Sequence, residues 1–167
     1  VQTCALPICT FITEDASRNE MVQHVYDITY GTIRANEDAL VVIDDSIVRG
    51  TTLRESIIRM LSRLKPKKIV VVSSCPQIRY PDCYGIDMSK MGDFIAFNAA
   101  VSLCRKKGLS GMMEGLLDRC RALEASGELH TVNMVKEFYS HFTTEELTQE
   151  IAALITPPAL DIPVEVI

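Results

Sequence analysis

The 167-residue sequence has no apolar run long enough to cross a bilayer. Its longest apolar stretches, ALVVI at 39–43 and IVVV at 69–72, fall far short of the roughly 20 residues that a spanning helix needs. Internal repeats and low-complexity segments are missing too. With 47% apolar and 23% charged residues, the composition excludes a wholly disordered chain and is typical of a globular protein with no membrane partner.

The sequence has fewer positively charged than negatively charged residues. Seventeen Lys and Arg stand against 22 Asp and Glu, which gives a net charge of -5. A protein that grips nucleic acid through phosphate contacts needs a basic surface, so no nucleic-acid partner is expected. The one basic cluster lies between a predicted helix and a predicted strand and indicates a solvated turn; it consists of Arg63, Lys65, Lys67 and Lys68.

Closely spaced cysteine pairs are absent as well. No two of the six cysteines have the spacing Cys-x-x-Cys; they are Cys4, Cys9, Cys75, Cys83, Cys104 and Cys120. This usage indicates free thiols in a reducing compartment and predicts a cytoplasmic protein. Cys75 ends an apolar stretch and is predicted to be a small core residue.

The middle of the chain has the pattern strand, helix, strand. An apolar, β-branched stretch at 39–43 predicts a buried strand, and a second one lies at 69–72. Between them, apolar residues recur at helical spacing from Leu53 to Leu64, and Pro66 ends the helix. Such a βαβ unit has parallel strands and a right-handed crossover, so the sequence predicts an α/β fold.

Helices are predicted on both sides of this unit. Ser17 and Glu20 form a capping-box pattern at the start of an amphipathic stretch. Periodicity predicts further helices at 94–106, 112–125, 132–139 and 144–154. The Pro-rich end, TPPALDIPVEVI, is expected either to be loose or to dock in an extended form.

The stretch VVIDDSIVRGTT ends the first strand with two carboxylates, Asp44 and Asp45, followed by a Gly-Thr-Thr turn. Ligands of parallel sheets collect at the carboxyl ends of strands, and the first N–H groups of a helix bind phosphate. A sugar phosphate fits both halves, with its diol at the carboxylates and its phosphate at the turn. Helix-capping chemistry beside a solvated acidic pair is the alternative interpretation.

The same stretch resembles the phosphoribosyl pyrophosphate (PRPP) motif of type I phosphoribosyltransferases. With TFI at 10–12 and SSCPQIRYPDCYGIDMS at 73–89, the chain resembles the amidophosphoribosyltransferase family from about Thr10 to the helix near Cys104. This resemblance implies a partial type I phosphoribosyltransferase fold with a parallel sheet flanked by helices and a helical C-terminal extension. The expected divisions are a doubtful segment at 1–9, a partial phosphoribosyltransferase domain at 10–106 and a helical region at 107–167.

The resemblance also implies a substrate and a reaction. The family uses Mg²⁺ and displaces pyrophosphate from PRPP with ammonia released from glutamine, which forms 5-phosphoribosylamine for purine synthesis. Asp44 and Asp45 would bind the ribose hydroxyls and Mg²⁺, and no residue is assigned as catalytic. The 5′-phosphate loop would be lined by Ser46, Val48, Arg49, Gly50, Thr51 and Thr52.

Further expectations follow from the family pattern. The chain is expected to be a fragment, inactive alone, with glutamine handled by an N-terminal domain that precedes it and a homo-oligomer formed at full length. An iron–sulfur cluster is not expected, because Asp82 stands where cluster-bearing members have a Cys. Arg79 would contact a phosphate or a purine nucleotide effector; alternatively, it pairs with Asp82 or Asp87 to hold its loop.

Two rival functions stay open at this point. One is another PRPP-dependent phosphoribosyltransferase, in which the IRYP and YGIDM motifs at 78–81 and 84–88 are not expected. The other is a non-catalytic regulator that senses PRPP or a nucleotide. A basic DNA-binding extension would favour that regulator, and the sequence contains none.

Overall fold

The computed structural model describes residues 30–82 and 88–167. Its centre is a three-stranded sheet of β1 (Ala39–Asp44), β2 (Lys68–Ser73) and β3 (Val164–Val166), in the order β1-β2-β3. Both pairings are parallel. The two predicted strands and the parallel α/β architecture are confirmed. The predicted burial of the first strand is wrong, because Val41 and Ile43 of β1 are exposed. The Pro-rich end of the chain docks in an extended form, because its last residues supply β3.

Helices connect and cover the strands. After β1 the chain enters a π-helical turn at Leu53–Ile57 that continues directly as α1, Ile58–Ser62. The remaining helices confirm the four predicted from periodicity; they are α2 (Ile95–Lys106), α3 (Ser110–Ser126), α4 (Met134–Tyr139) and α5 (Thr144–Ile155). The helix predicted to begin at Ser17 lies outside the described residues. No helix in the described ranges is long and apolar enough to cross a membrane.

The hydrophobic core lies between one face of the sheet and helices α1, α2 and α5. Ile69 and Val71 of β2 are fully buried there, together with Ile58, Leu147 and Ile155 of the helices. Each such side chain stabilises the fold by about 1.5–3 kcal/mol through removal of apolar surface from water. On the other face, alternation along β1 leaves its side chains more accessible, because successive residues of a strand point to opposite sides.

An ion pair with a buried carboxylate and a mostly exposed lysine joins α2 to α5. Glu150 of α5 is 6% exposed, and its carboxylate accepts hydrogen bonds from Lys106 Nζ at 2.6 and 2.7 Å and from Ser102 Oγ at 2.6 Å. Helix α5 begins with a capping box, in which Thr143 and Glu146 each bond the other's backbone N–H. The polar contacts therefore fix α5 at its start and along its buried face.

Cys75 is exposed, so the prediction that it is a core residue is wrong. Strand β2 ends at Ser73, and Cys75 lies in the loop that leaves the sheet. Of the cysteines that the structure describes, Cys104 is the buried one, on the inner face of α2. The predicted division of the chain between 106 and 107 stays a prediction, and α5 and β3 pack across it on α2 and β2.

Candidate functional site at the carboxyl end of the sheet

Asp44 and Asp45 stand at the carboxyl end of β1. Asp44 is the last strand residue and pairs in register with Ser73 of β2. Its Oδ1 accepts a hydrogen bond from the Asp45 N–H at 3.0 Å, and Asp45 Oδ1 accepts one from the Ser46 N–H at 2.8 Å. Each carboxylate is thus oriented by the next peptide group and keeps further lone pairs for a ligand.

The electrostatics of this pair favour a positively charged or hydrogen-donating ligand. Asp44 is half-buried and Asp45 is exposed. Burial raises the pKa of Asp44 above its ordinary value of 3.8, and the adjacent charge of Asp45 adds to the rise. The negative charge of an ionised Asp44 therefore lacks stabilising partners, and a bound cation or diol would stabilise it.

The loop after the acidic pair is anchored to the core. Ile47 is 8% exposed and belongs to the hydrophobic cluster. The Val48 carbonyl accepts a hydrogen bond from the Ile95 N–H at 2.8 Å, which ties the loop to the first residue of α2. Arg49 Nη2 lies 3.9 Å from Asp93 Oδ2, just before that helix. The loop therefore has a rigid support beneath it, with Ser46 and Val48 partly accessible.

Gly50 turns the chain into the helix. Its φ of 72° lies in the left-handed region, and a Cβ added there would come within 2.4 Å of Ile95 Cδ1. The Gly50 carbonyl accepts a hydrogen bond from the Arg54 N–H at 3.0 Å. Glycine is required at this position for two reasons, the positive φ and the close approach of the core side chain of Ile95.

Thr51 and Thr52 already have helical structure. Thr52 has φ −59° and ψ −43° and makes no side-chain capping bond within the described part of the chain. Thr52 therefore does not cap the helix through its side chain, because a cap needs a non-helical backbone. Thr51 is exposed at the surface of this first turn, where N–H groups precede the helical bonds and are suited to an anion.

Arg79 lies in the loop after β2, against helices α4 and α5. Its Nε and Nη2 donate to Gln77 Oε1 at 3.2 and 2.8 Å, and Nη2 also donates to Thr144 Oγ1 at 3.3 Å. The guanidinium carbon is 5.4 Å from the centroid of the Tyr139 ring. These contacts make Arg79 part of a packed connection between the loop and the C-terminal helices.

Gln77 is the residue of this connection that sequence reasoning missed. Its Nε2 donates to the Thr144 carbonyl at 3.0 Å and to Thr148 Oγ1 at 2.7 Å. The partners are 67 and 71 residues away in sequence, so local periodicity gives no signal for them. Of the two acidic partners proposed for Arg79, Asp87 lies outside the described residues.

Two carboxylates are available for a metal ion at this edge of the sheet. Within 30–82 and 88–167 there is no group of three or more His, Cys, Asp or Glu side chains that could hold a metal by itself. Magnesium in phosphate-binding sites commonly takes one or two carboxylates and completes its shell with water and substrate oxygens. The adjacent carboxylates of Asp44 and Asp45 fit that mode.

Comparison with known proteins identifies a family. Curated amidophosphoribosyltransferases are similar to this chain: the Haemophilus influenzae protein is 36% identical over 123 residues, 72% of this chain and 24% of the relative. The Schizosaccharomyces pombe protein is 34% identical over 115 residues, 61% of this chain and 21% of the relative. The Escherichia coli protein is 40% identical over 88 residues, which are 50% of this chain and 17% of the relative.

The chain thus spans about a quarter or less of the length of these relatives. No protein-family model matches it. By sequence, the chain is similar to amidophosphoribosyltransferases over the part of their length that it spans.

Proposed function

We propose that this chain binds PRPP with Mg²⁺ at the turn from Asp44 to Thr52, as part of an amidophosphoribosyltransferase of purine synthesis. The observation that carries the proposal is the acidic pair at the carboxyl end of β1, followed by a core-anchored loop that enters a helix through Gly50. Relatives named amidophosphoribosyltransferase support the choice of substrate.

The carboxylates serve the sugar end of the substrate. Carboxylate oxygens of Asp44 and Asp45 accept hydrogen bonds from the two ribose hydroxyls, which are good donors. Partial burial of Asp44 strengthens such bonds because the local dielectric is lower than in water. When bound, Mg²⁺ would supply positive charge to the diol and the pyrophosphate group, held by the same two residues.

The loop serves the 5′-phosphate. The side chains and N–H groups proposed to line it belong to Ser46, Val48, Arg49, Gly50, Thr51 and Thr52. Burial of Ile47 and the bond from the Ile95 N–H to the Val48 carbonyl hold this loop in one shape before substrate arrives. A preformed loop lowers the entropy cost of binding, and rigid amides favour an anion at the helix start.

The proposed reaction is displacement at C1 of the sugar. The nitrogen of ammonia forms a bond to C1, the bond from C1 to the pyrophosphate oxygen breaks, and the nitrogen loses a proton, which leaves 5-phosphoribosylamine and pyrophosphate. Charge builds up on the sugar during this step, so the contribution of the protein is positioning and electrostatic stabilisation. Glutamine as the ammonia source, purine nucleotides as effectors at Arg79, a homo-oligomer and a cytoplasmic location belong to the same proposal.

Isothermal titration calorimetry of the chain with PRPP, with and without Mg²⁺, tests the binding site. The variant with Asp44→Asn and Asp45→Asn should bind at least about tenfold more weakly, since each lost charged hydrogen bond costs about 1.5–3 kcal/mol. Asp118→Asn is the matched control, because this exposed carboxylate on α3 lies in another part of the fold. Equal binding by the double variant and the wild type would overturn the site.

Turnover separates the enzyme from the PRPP sensor. In the chain joined to the remaining length of its relatives, the expected result is release of pyrophosphate from PRPP and ammonia, which the same double variant abolishes. Binding of PRPP without any pyrophosphate release, in the chain joined to the remaining length of its relatives, would favour the non-catalytic regulator instead.

A further inference from the structure

Ser74 contacts both residues of the acidic pair through their backbone. It follows Ser73, the residue of β2 that pairs with Asp44. The Ser74 N–H donates to the Asp44 carbonyl at 2.9 Å. Its Oγ lies 3.3 Å from the same carbonyl oxygen and 3.2 Å from the carbonyl oxygen of Asp45.

The two kinds of contact have different consequences. The N–H bond continues the hydrogen-bond ladder between β1 and β2 by one residue, and any residue except proline would make it. The hydroxyl reaches one residue further, to Asp45, beyond the end of the strand. Only a side chain with a short donor can make that second contact.

The carbonyl groups that Ser74 holds belong to the peptide planes that orient the carboxylates. A peptide group is planar, so the Asp44 carbonyl moves together with the Asp45 N–H, which donates to Asp44 Oδ1. In the same way, the Asp45 carbonyl moves with the Ser46 N–H, which donates to Asp45 Oδ1. The hydroxyl carries one hydrogen, which the two carbonyl oxygens share, and together with the Ser74 N–H it restrains both carboxylate-orienting N–H groups.

We propose that Ser74 is a positioning residue for the acidic pair, whose hydroxyl holds the two peptide planes and thereby aims the carboxylates of Asp44 and Asp45 at the substrate. The inference rests on the proposed PRPP site for its functional meaning. Neither the acidic motif nor the loop motif assigns this role to Ser74, because its hydroxyl acts across two strands.

Three variants test the proposal by calorimetry with PRPP and Mg²⁺. Ser74→Ala should weaken binding about fivefold, the usual effect of one lost hydrogen bond, while Ser74→Thr restores wild-type affinity because it keeps the hydroxyl. Ser73→Ala is the matched control, since the Ser73 hydroxyl donates to the Cys75 carbonyl in the same loop. Wild-type affinity in Ser74→Ala, or an equal loss in Ser73→Ala, would overturn the role of Ser74.

A second measurement needs no ligand. The ¹³C carboxyl resonances of Asp44 and Asp45 should move in Ser74→Ala, and stay in place in Ser73→Ala and Ser74→Thr. If the wild type fails to bind PRPP, the proposed function fails, and these resonances still decide whether Ser74 positions the pair. Unchanged resonances in Ser74→Ala would overturn the positioning role even when PRPP binds.

Discussion

Gly50 packs directly on Ile95. A Cβ built on Gly50 would lie 2.4 Å from Ile95 Cδ1 and 2.9 Å from Ile155 Cγ2. These two side chains belong to α2 and α5, the pair of helices joined by the buried Glu150. The proposed phosphate loop therefore rests on two core helices, and its shape depends on how they pack.

Gly50→Ala should destabilise the fold by about 1–3 kcal/mol, because the new methyl group collides with core side chains and the backbone is strained at a φ of 72°. Urea denaturation of variant and wild type measures the loss. Gly115→Ala is the control: it lies within α3, where an added Cβ meets nothing within 4 Å, so it should stabilise by about 0.5–1 kcal/mol. A stability loss of equal size in both variants would contradict this account of Gly50.

Glu150→Gln should destabilise the fold by about 1–3 kcal/mol, because the buried side chain loses charged hydrogen bonds from Lys106 and Ser102 across the α2–α5 contact. Thermal unfolding measures the change. Asp118→Asn removes a pair in which both side chains are mostly exposed, and it should cost less than about 0.5 kcal/mol. Similar melting temperatures for the two variants would show that burial adds nothing to the Glu150 pair.

The pKa of Glu150 makes the stability of the fold depend on pH. Burial by itself would raise the pKa of Glu150, but hydrogen bonds from Lys106 and Ser102 outweigh it and leave the pKa below 4.5. A carboxyl group whose pKa is lower in the folded state stabilises the fold at pH values above its ordinary pKa. This stabilisation is lost as the pH falls through the pKa of the folded state. The stability gap between wild type and Glu150→Gln should therefore narrow below about pH 4.5; a gap that widens there would contradict the sign.

The sequence was sufficient for features that depend on local pattern. Apolar, β-branched runs predicted β1 and β2, and helical spacing predicted the four C-terminal helices. Glu150 shows what that pattern also contained: it follows Leu147 by three residues and precedes Ile151, so a carboxylate stands on the apolar stripe of α5. Such a position predicts a partner for the carboxylate, although not its identity as Lys106.

Other features depend on contacts between distant residues. The docking of β3 beside β2 and the bonds from Gln77 to Thr144 and Thr148 join parts of the chain that no local signal relates. The prediction for Cys75 was wrong because it assumed that the apolar strand extends to Cys75, whereas β2 ends at Ser73. The positions of Asp44 and Asp45 were predictable, since they follow from where an apolar strand ends.

Tyr139→Phe should leave stability unchanged or raise it by up to about 1 kcal/mol. The Tyr139 side chain is buried, and its hydroxyl has no hydrogen-bond partner in the described part of the chain, so the variant removes an unsatisfied polar group. Burial also raises the pKa of Tyr139 to about 12. Ultraviolet difference titration should show one tyrosine that ionises near that pH, and the signal should vanish in Tyr139→Phe; a marked loss of stability would show that the hydroxyl has a partner.

Asp44→Asn should move stability and binding in opposite directions. Burial, followed by the charge of Asp45, raises the pKa of Asp44 above 3.8. A raised carboxyl pKa means that the folded state favours the protonated form. The stabilisation by the protonated carboxyl is therefore complete at pH values below its ordinary pKa, and it is lost as the pH rises through the pKa of the folded state. At neutral pH the ionised Asp44 therefore destabilises the fold, and Asn, which has the same shape and keeps an oxygen acceptor for the Asp45 N–H, should raise the melting temperature. The gain should disappear below about pH 3.8, where the wild-type carboxyl is also neutral.

The same variant should bind Mg²⁺-PRPP more weakly, since it loses a charged acceptor for the diol. Thermal melts at neutral and acid pH, alongside calorimetry, measure both effects. A variant that is less stable at neutral pH would mean that Asp44 has a stabilising role in the fold, while one that is more stable and binds more weakly marks a carboxylate kept in place for its ligand.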